Sequence, residues 1–534
     1  MFWRRAGGCD TVALTPMEMC GMCHGLYPGL LDDPTEIVLT FLDTSLPTPP
    51  VSTAASLSCA AAAAAGHGGV DRISALPDEV LLRVVSRLPA KDGARTAALS
   101  KRWARLWRSA PLVLVDAHLL PAAGAGGRRR RLPSRRGAAS RAVRDAVSAA
   151  LGAPPGPFPF VSLTCGFMDA VDADRAVLAR WFLHLATKGV EELVLVNRPF
   201  PIPGLRLPAA LFSCPSLRSL FVCSWEFPDT ALLPRGASFL NLLELILGCV
   251  TMKDQDLDFV LAASPVLEIL AVIGSPGRLT ARLASHSLRS AQFGMTELTE
   301  VSVVDAPCLE RLIFWNRPSY HRHKRKTGTR IKIGHAPQLT TLGYLEPGEH
   351  ILEIGNTIIK AGTKASPNTV VPSVRMLAVH LHFGISSEVK MLPSFLRCFP
   401  NVETLCVESV QTCEPTANLS HKFWQETGPI ECVQSHLKIL SFREFSGEQR
   451  EMDFLMFIAE NTPMLQRMNL VLRYDGACST QEEMNAKLRI LKSAKWACGR
   501  QKIWVVAREF GGGFILRSLK AGCDFTYNDP FKCL

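Results

Sequence analysis

The residues best suited by type and spacing to do chemistry lie near the start of the chain. The phrase "CGMCHG" sets Cys20, Cys23 and His24 as C-x-x-C-H, in which two thiols attach haem and an imidazole takes an axial position. That chemistry needs an export or organelle setting and a folded pocket. The surrounding leader has no apolar signal run, and a zinc site completed by Cys9 would be irregularly spaced with no second pair nearby. No metal, haem or other cofactor is therefore expected. The 17 cysteines run from Cys9 to Cys533 without a repeated spacing, many inside apolar runs such as "LRSLFVCSW" and "VETLCVES". There cysteine behaves as a small hydrophobe, which argues against a disulfide framework and for a reducing compartment, nucleus or cytoplasm. The phrases G-x-x-x-x-G-K-[ST], G-x-S-x-G and H-E-x-x-H do not occur, and no cysteine has a histidine partner by spacing. No catalytic residue is assigned, and the chain is not expected to be an enzyme.

Charge excludes a further class. The net charge is +11, yet positions 121–144 hold eight arginines and positions 317–332 seven lysines or arginines, both without an acid. These fifteen residues exceed the whole excess, so the remaining surface is slightly acidic and is not a nucleic-acid-binding surface. Neither run is interleaved with aromatic residues for base stacking. The arginine run "RRRRLPSRR" also fits a nuclear-import signal. No apolar stretch approaches the roughly 18 residues of a membrane span, so neither membrane nor nucleic acid is an expected partner.

Residues 1–70, rich in Pro, Ser, Ala and Gly, read as a disordered leader. Residues 71–118 hold a compact helical unit. Pro77, Asp78 and Glu79 open a first helix, and Val80, Leu81, Val84, Val85 and Leu88 recur along one face of it. Asp92 is a candidate cap for the second helix. Ser100 caps a third, on which Trp103, Leu106 and Trp107 fall at i, i+3, i+4. Residues 119–158 read as a basic linker with a short helix near 140–151.

From 159 a phrase recurs, loosely P-x-L-x-x-L-x-L, beginning at Gly189, Cys214, Phe239, Ser264, Ser285, Ala306, Ala336, Val371, Phe399, Ser435 and Thr462. The starts lie 21 to 36 residues apart, the spacing of a leucine-rich-repeat solenoid. Each unit supplies one short parallel strand, and a stack of units buries leucines that one unit cannot. The long intervals around 316–336 and 345–371 read as projecting loops. Strand alternation turns Leu217, Leu220 and Leu267 inward. It turns Arg311, Ile313, Trp315, His380, Glu408 and Arg443 outward, where Arg311, Trp315, His380, Glu408 and Arg443 are the candidate target-binding residues. A helix over "STQEEMNAKLRILKSAKWA" and a strand in "QKIWVVAREF" follow. A loose tail is expected over 511–534.

The stretch "LPDEVLLRVVSRLPAKDGARTAALSKRWARLW", positions 76–107, resembles the F-box of plant F-box proteins, with Gly93 a departure where a larger residue is usual. Residues 427–510 resemble the FBD domain, carried by "SHLKILSFREFSGEQREMDFLMFIAENTPMLQRMNLVL". The implied fold class is α/β: a three-helix F-box, a leucine-rich-repeat solenoid with a parallel β-sheet over 159–426, and a C-terminal FBD cap. The resemblance implies a substrate-recognition subunit of a Skp–cullin–F-box ubiquitin ligase. The F-box would dock on the Skp-type adaptor, and through it a cullin, by Leu76, Pro77, Val80, Leu81, Val84, Leu88, Leu99, Trp103 and Trp107. The repeats and FBD would hold a target protein. The physical reading agrees, because about forty residues cannot close a core of their own and leave apolar surface for a partner. The alternative is a protein-binding scaffold or sensor that works without ubiquitin.

Overall fold

The structure is a computed structural model and describes residues 2–4, 11–13, 46–51, 72–119, 133–153, 156–166, 172–197, 205–314, 328–411, 422–473, 481–499, 503–506 and 519–531. The C-x-x-C-H phrase, Trp315 and positions 128–132 and 321–326 of the basic runs lie outside these residues. Most of the expected disordered leader lies outside them too. Within it, Phe2–Arg4 pairs antiparallel with Thr11–Ala13, and Val51 is buried. The chain folds as two compact units, Met1–Gly277 and Arg278–Leu534.

The first unit contains three short helices, α1 (Asp78–Val85), α2 (Ala90–Thr96) and α3 (Lys101–Ser109). Acidic Asp78 and Glu79 lie in the first turn of α1, where negative charge complements the helix dipole. The Ser100 hydroxyl accepts from the Trp103 N–H at 3.3 Å and caps α3 as its sequence indicates. Asp92 does not cap α2. Pro89 holds that position, and Asp92 lies within the first turn, paired with Arg95 at 2.8 Å. Leu81, Val85, Trp103, Leu106 and Ala110 bury one another, with Leu82 and Trp107 packed against them. Gly93 has a steric reason: a Cβ there would stand 2.6 Å from Trp107 Cζ3. The missing side chain lets the indole close over α2.

After α3 come β1 (Val113–Val115), α4 (Pro133–Gly152), β2 (Phe160–Gly166), α5 (Asp172–Thr187), β3 (Glu192–Asn197), β4 (Ser219–Cys223), β5 (Glu244–Gly248), α6 (Asp254–Ala263) and β6 (Ile269–Ile273). The six strands pair in parallel in chain order. Their register aligns Leu193, Leu220, Leu245 and Leu270 as one buried ladder. The expected linker contains a 20-residue helix, not a short one. Val147 and Leu151, one turn apart, are buried, and Ser148 accepts from Trp181 of α5 at 2.9 Å. The Arg144–Asp174 ion pair joins the same two helices. Two apolar positions spaced four apart among alanines and arginines are a faint sequence signal, and α5 supplies the partner that makes them count.

The second unit carries two sheets. The larger consists of β8 (Ser290–Gly294), β10 (Arg311–Phe314), β12 (Thr341–Leu345), β15 (Met376–Leu381), β16 (Thr404–Ser409), β17 (Ile439–Phe445), β18 (Arg467–Leu472) and β19 (Ile503–Val506), all parallel. The smaller, which sequence reading missed, has β7 (Arg278–Ala284), β9 (Glu297–Asp305), β11 (Thr329–His335) and β13 (His350–Ile354) in parallel, with β14 (Thr357–Ile358) antiparallel at its edge. Length accounts for two of its strands. The 21-residue repeats from Ser264 and Ser285 are too short to return through a helix and return through β7 and β9, whereas the 30- and 35-residue repeats from Ala306 and Ala336 return through β11 and β13 without that constraint. The interval 345–371 is thus partly strand and not a projecting loop, and 329–335 is strand as well. The repeats of 28 and 27 residues that start at Val371 and Ser435 return through α7 (Ser386–Arg397) and α8 (Gln449–Asn461), and α9 (Gln481–Ser493) lies between β18 and β19.

Beneath α8, Phe454 lies 5.7 Å from Phe383 and 5.2 Å from Trp424, measured between ring centroids. Glu451, buried in the first turn of α8, accepts from the Ser409 hydroxyl at 2.5 Å, the Ser446 N–H at 3.0 Å and the Glu448 N–H at 3.1 Å. Burial pushes its carboxyl up, against the opposing pull of the two serine hydroxyls. Three buried thiols behave as core. Cys214 of the first unit and Cys398 and Cys432 of the second are each pushed up by burial to about 12.

Candidate functional site

Two surfaces deserve the name of site, one in each unit. In the helical bundle α1 divides its apolar residues. Leu81 and Val85 turn inward, while Val80 (40% exposed) and Val84 (44%) form an outward stripe one turn apart. Leu76 (37%) and Leu99 (67%) stand exposed beside them in the chain, and Pro77 is exposed as well. Leu81 and Trp103 were expected on the docking face; both belong to the bundle's own core. Trp107 and Leu88 are half-buried. Amphipathic spacing marks a helix face as apolar, but only the packed bundle says which half of a wide stripe remains uncovered.

Arg102 positions this face, and sequence reasoning passed over it. From α3 its guanidinium donates to Asp78 Oδ1 at 2.8 Å, to Leu76 O at 2.6 Å and to Ser74 O. It therefore ties the entry turn that carries Leu76 and Pro77 to the third helix. The only sequence signal was a basic residue two places after the Ser100 cap.

In the second unit the outward face of the larger sheet is mostly occupied. Arg311 is buried, not free. Its Nη1 donates to the carbonyls of Ala521 (3.1 Å), Gly522 (3.2 Å) and Asp524 (3.1 Å), and its Nη2 to Tyr527 O at 2.8 Å. Burial holds this guanidinium below its usual pKa. These carbonyls come from the expected loose tail. Its described part forms α10 (Leu519–Cys523) and a turn, and it ends with Phe531 buried against Ile313, Tyr344, Ala378 and Cys406. The Phe525 ring lies 3.8 Å from the Arg289 guanidinium and 4.7 Å from that of Arg311.

His380 is buried and stacks on Tyr344 at 4.2 Å, with Glu346 3.4 Å from its Nδ1 and Glu408 3.7 Å from its Nε2. Arg443, also buried, donates to the Tyr344 hydroxyl at 3.0 Å. The structure thus brings His380, Glu408 and Arg443 together, but as a mutually satisfied network. It brings Arg311 to the tail instead. Trp504 on β19 stands open on this face, 61% exposed and paired in register with Asn469, with the guanidinium of the likewise exposed Arg467 5.7 Å from its ring. The phrase "KIWVV" carried its outward position by alternation alone. Among the described residues no cluster of His, Cys, Asp or Glu could hold a metal ion, and no helix is long and apolar enough to cross a membrane.

Three family profiles match this chain. The F-box domain covers residues 73–114, the leucine-rich repeats of FBD-associated F-box protein At5g56370 cover 178–407, and the FBD covers 425–470. The chain carries the F-box, leucine-rich-repeat and FBD domains of the plant F-box proteins, in that order. Relatives of this family are similar over most of its length. F-box/LRR-repeat protein 13 of Arabidopsis thaliana is 27% identical over 448 residues, 77% of this chain and 91% of the relative. FBD-associated F-box proteins At4g10400 and At5g60610 of the same plant are 23% and 24% identical, and the match covers 99% and 100% of them and 80% and 75% of this chain. F-box proteins generally act as substrate receptors of Skp–cullin–F-box ligases, and F-box/LRR members are generally non-catalytic adaptors. The F-box match spans α1 to α3, the elements that carry the outward stripe.

Proposed function

We propose that this chain is a substrate receptor of a Skp–cullin–F-box ubiquitin ligase. Leu76, Pro77, Val80, Val84 and Leu99 are the apolar contacts with the Skp-type adaptor, and the repeats and FBD hold a target protein. Leu81 and Trp103 serve that contact by shaping the bundle from its core, and the half-buried Leu88 and Trp107 by the part of each that is exposed. The observation that carries the reading is the exposed stripe of Val80 and Val84 on a bundle whose own core is already closed. Each partly covered aliphatic would add about 1 kcal/mol on burial, so several of them together supply an adhesive face. The receptor does no bond chemistry. It raises the effective concentration of a target lysine near the ligase's transfer centre. Cys214, Cys398 and Cys432 are buried in the core and form no disulfide, which supports a site of action in the nucleus or cytoplasm.

Co-expression with a Skp-type adaptor and a cullin tests the reading. The wild-type chain is expected to co-purify with both, and a Leu76→Ala/Val84→Ala variant to lose about 2 kcal/mol of adaptor affinity, roughly 30-fold. Equal, negligible capture by both chains would favour the ubiquitin-independent scaffold.

A further inference from the structure

The part of the larger sheet's outward face formed by β8, β10, β12, β15 and β16 is already covered, and by a segment whose contacts define a ligand. Leu519–Phe531 is joined to it by one buried arginine, two aromatic rings and two polar side chains. Arg311 takes four main-chain carbonyls across a turn, and Ser290 donates to Gly522 O at 3.2 Å. Gln292 donates to Cys523 Sγ at 3.1 Å. Phe525 lies against two guanidiniums, and Phe531, six positions on, fills the apolar patch of Ile313, Tyr344, Ala378 and Cys406. These contacts call on main-chain carbonyls and two rings, so other sequences with the same spacing could make them.

The fit is also imperfect. The Oε1 atom of Gln292, on a fully buried side chain, has no hydrogen-bond partner among the described residues, and a buried acceptor left so costs stability that a better occupant would recover. A Cβ at Gly522 would stand 2.2 Å from that same atom, so a larger residue there requires the Gln292 amide to shift.

We propose that this sheet face is a peptide-recognition site and that Leu519–Phe531 is its resident, displaceable occupant. The target segment it fits is a turn with two aromatic side chains about six residues apart, main-chain carbonyls presented to Arg311, and an N–H donor for Gln292 Oε1. This deepens the receptor reading and rests on the repeats being its target-binding part. A target must first displace the tail, so its apparent affinity for the intact chain is reduced by the fraction of time the face lies open.

The probe is a fluorescein-labelled peptide of residues 519–531, followed by fluorescence anisotropy. It is titrated into the full chain, a chain lacking 519–534, and a full-length Phe525→Ala/Phe531→Ala variant whose face is intact but whose tail has lost its anchors. Folding is checked by thermal melting, and adaptor capture is measured on the same samples. Binding at least tenfold tighter to either altered chain than to wild type, and lost on adding Arg311→Ala, is the expected result. Equal binding to all three chains overturns the proposal, as does no binding to folded altered chains. Failure of both altered chains to fold overturns it too, because the segment would then be fixed core. Adaptor capture is independent of all these outcomes, so loss of the receptor reading would show there and not in the anisotropy.

Discussion

Val84 and Leu81 are three residues apart on α1 and do opposite jobs. Leu81→Ala should cost about 2–5 kcal/mol of stability because it opens a cavity against Trp103 and Leu106. Val84→Glu should shift stability by less than about 0.5 kcal/mol yet abolish adaptor capture, because a charge would be buried on docking. Thermal melts and pull-downs on the pair separate core from contact. Gly93→Ala pits a gain of about 1 kcal/mol in helix propensity against an overlap with the Trp107 ring. Overpacking costs about 1–3 kcal/mol, so a lowered melting temperature is expected.

Glu244 gives a pH-dependent case. It lines a cleft of about 430 Å³ with Glu192, Ser219 and Arg218. Burial, reinforced by Glu192, raises its carboxyl pKa against the pull of the Ser219 hydroxyl at 3.1 Å. A carboxyl raised in the fold supports folding while protonated, and that support is lost as pH rises through the folded value. Glu244→Gln should therefore raise the melting temperature at pH 7 and leave it unchanged near pH 4.

At the scale of elements, caps and return segments decide what the repeats become. Ser100→Ala removes the hydroxyl that caps α3 and should cost about 1 kcal/mol. Glu451→Ala strips α8 of an acceptor for four neighbouring donors and should cost about 2–3 kcal/mol, read by denaturant melts. The inward leucines of β3 to β6 were legible because a two-residue alternation repeated at fixed intervals leaves one solution for the buried side. The second sheet was not legible. Residues 278–284 alternate as any strand does, and only the shortness of the return hinted that a helix had no room. The outward residues misled for a related reason. Alternation places Arg311 and His380 on the outer face, but it says nothing of what lies on top of that face. The tail that covers Arg311 comes from some 210 positions further along the chain.

For the whole molecule, the boundary of the F-box matters to any experiment that removes it. The third helix ends at Ser109, while Val113–Val115 is already an edge strand paired with Phe160–Ser162. Deleting 72–109 should abolish adaptor capture and leave the melting of the sheet near wild type. Deleting through 118 strips a strand from the solenoid and should lower it. Partners retained by the shorter deletion are then the candidate targets. The three sequestered sulfurs carry a different consequence. With thiols held at about 12, roughly one molecule in ten thousand offers a thiolate to an alkylating reagent at pH 8. Cys214 of the first unit and Cys398 and Cys432 of the second thus act as built-in clocks. The rate at which each takes up iodoacetamide counts how often its own half of the chain breathes open.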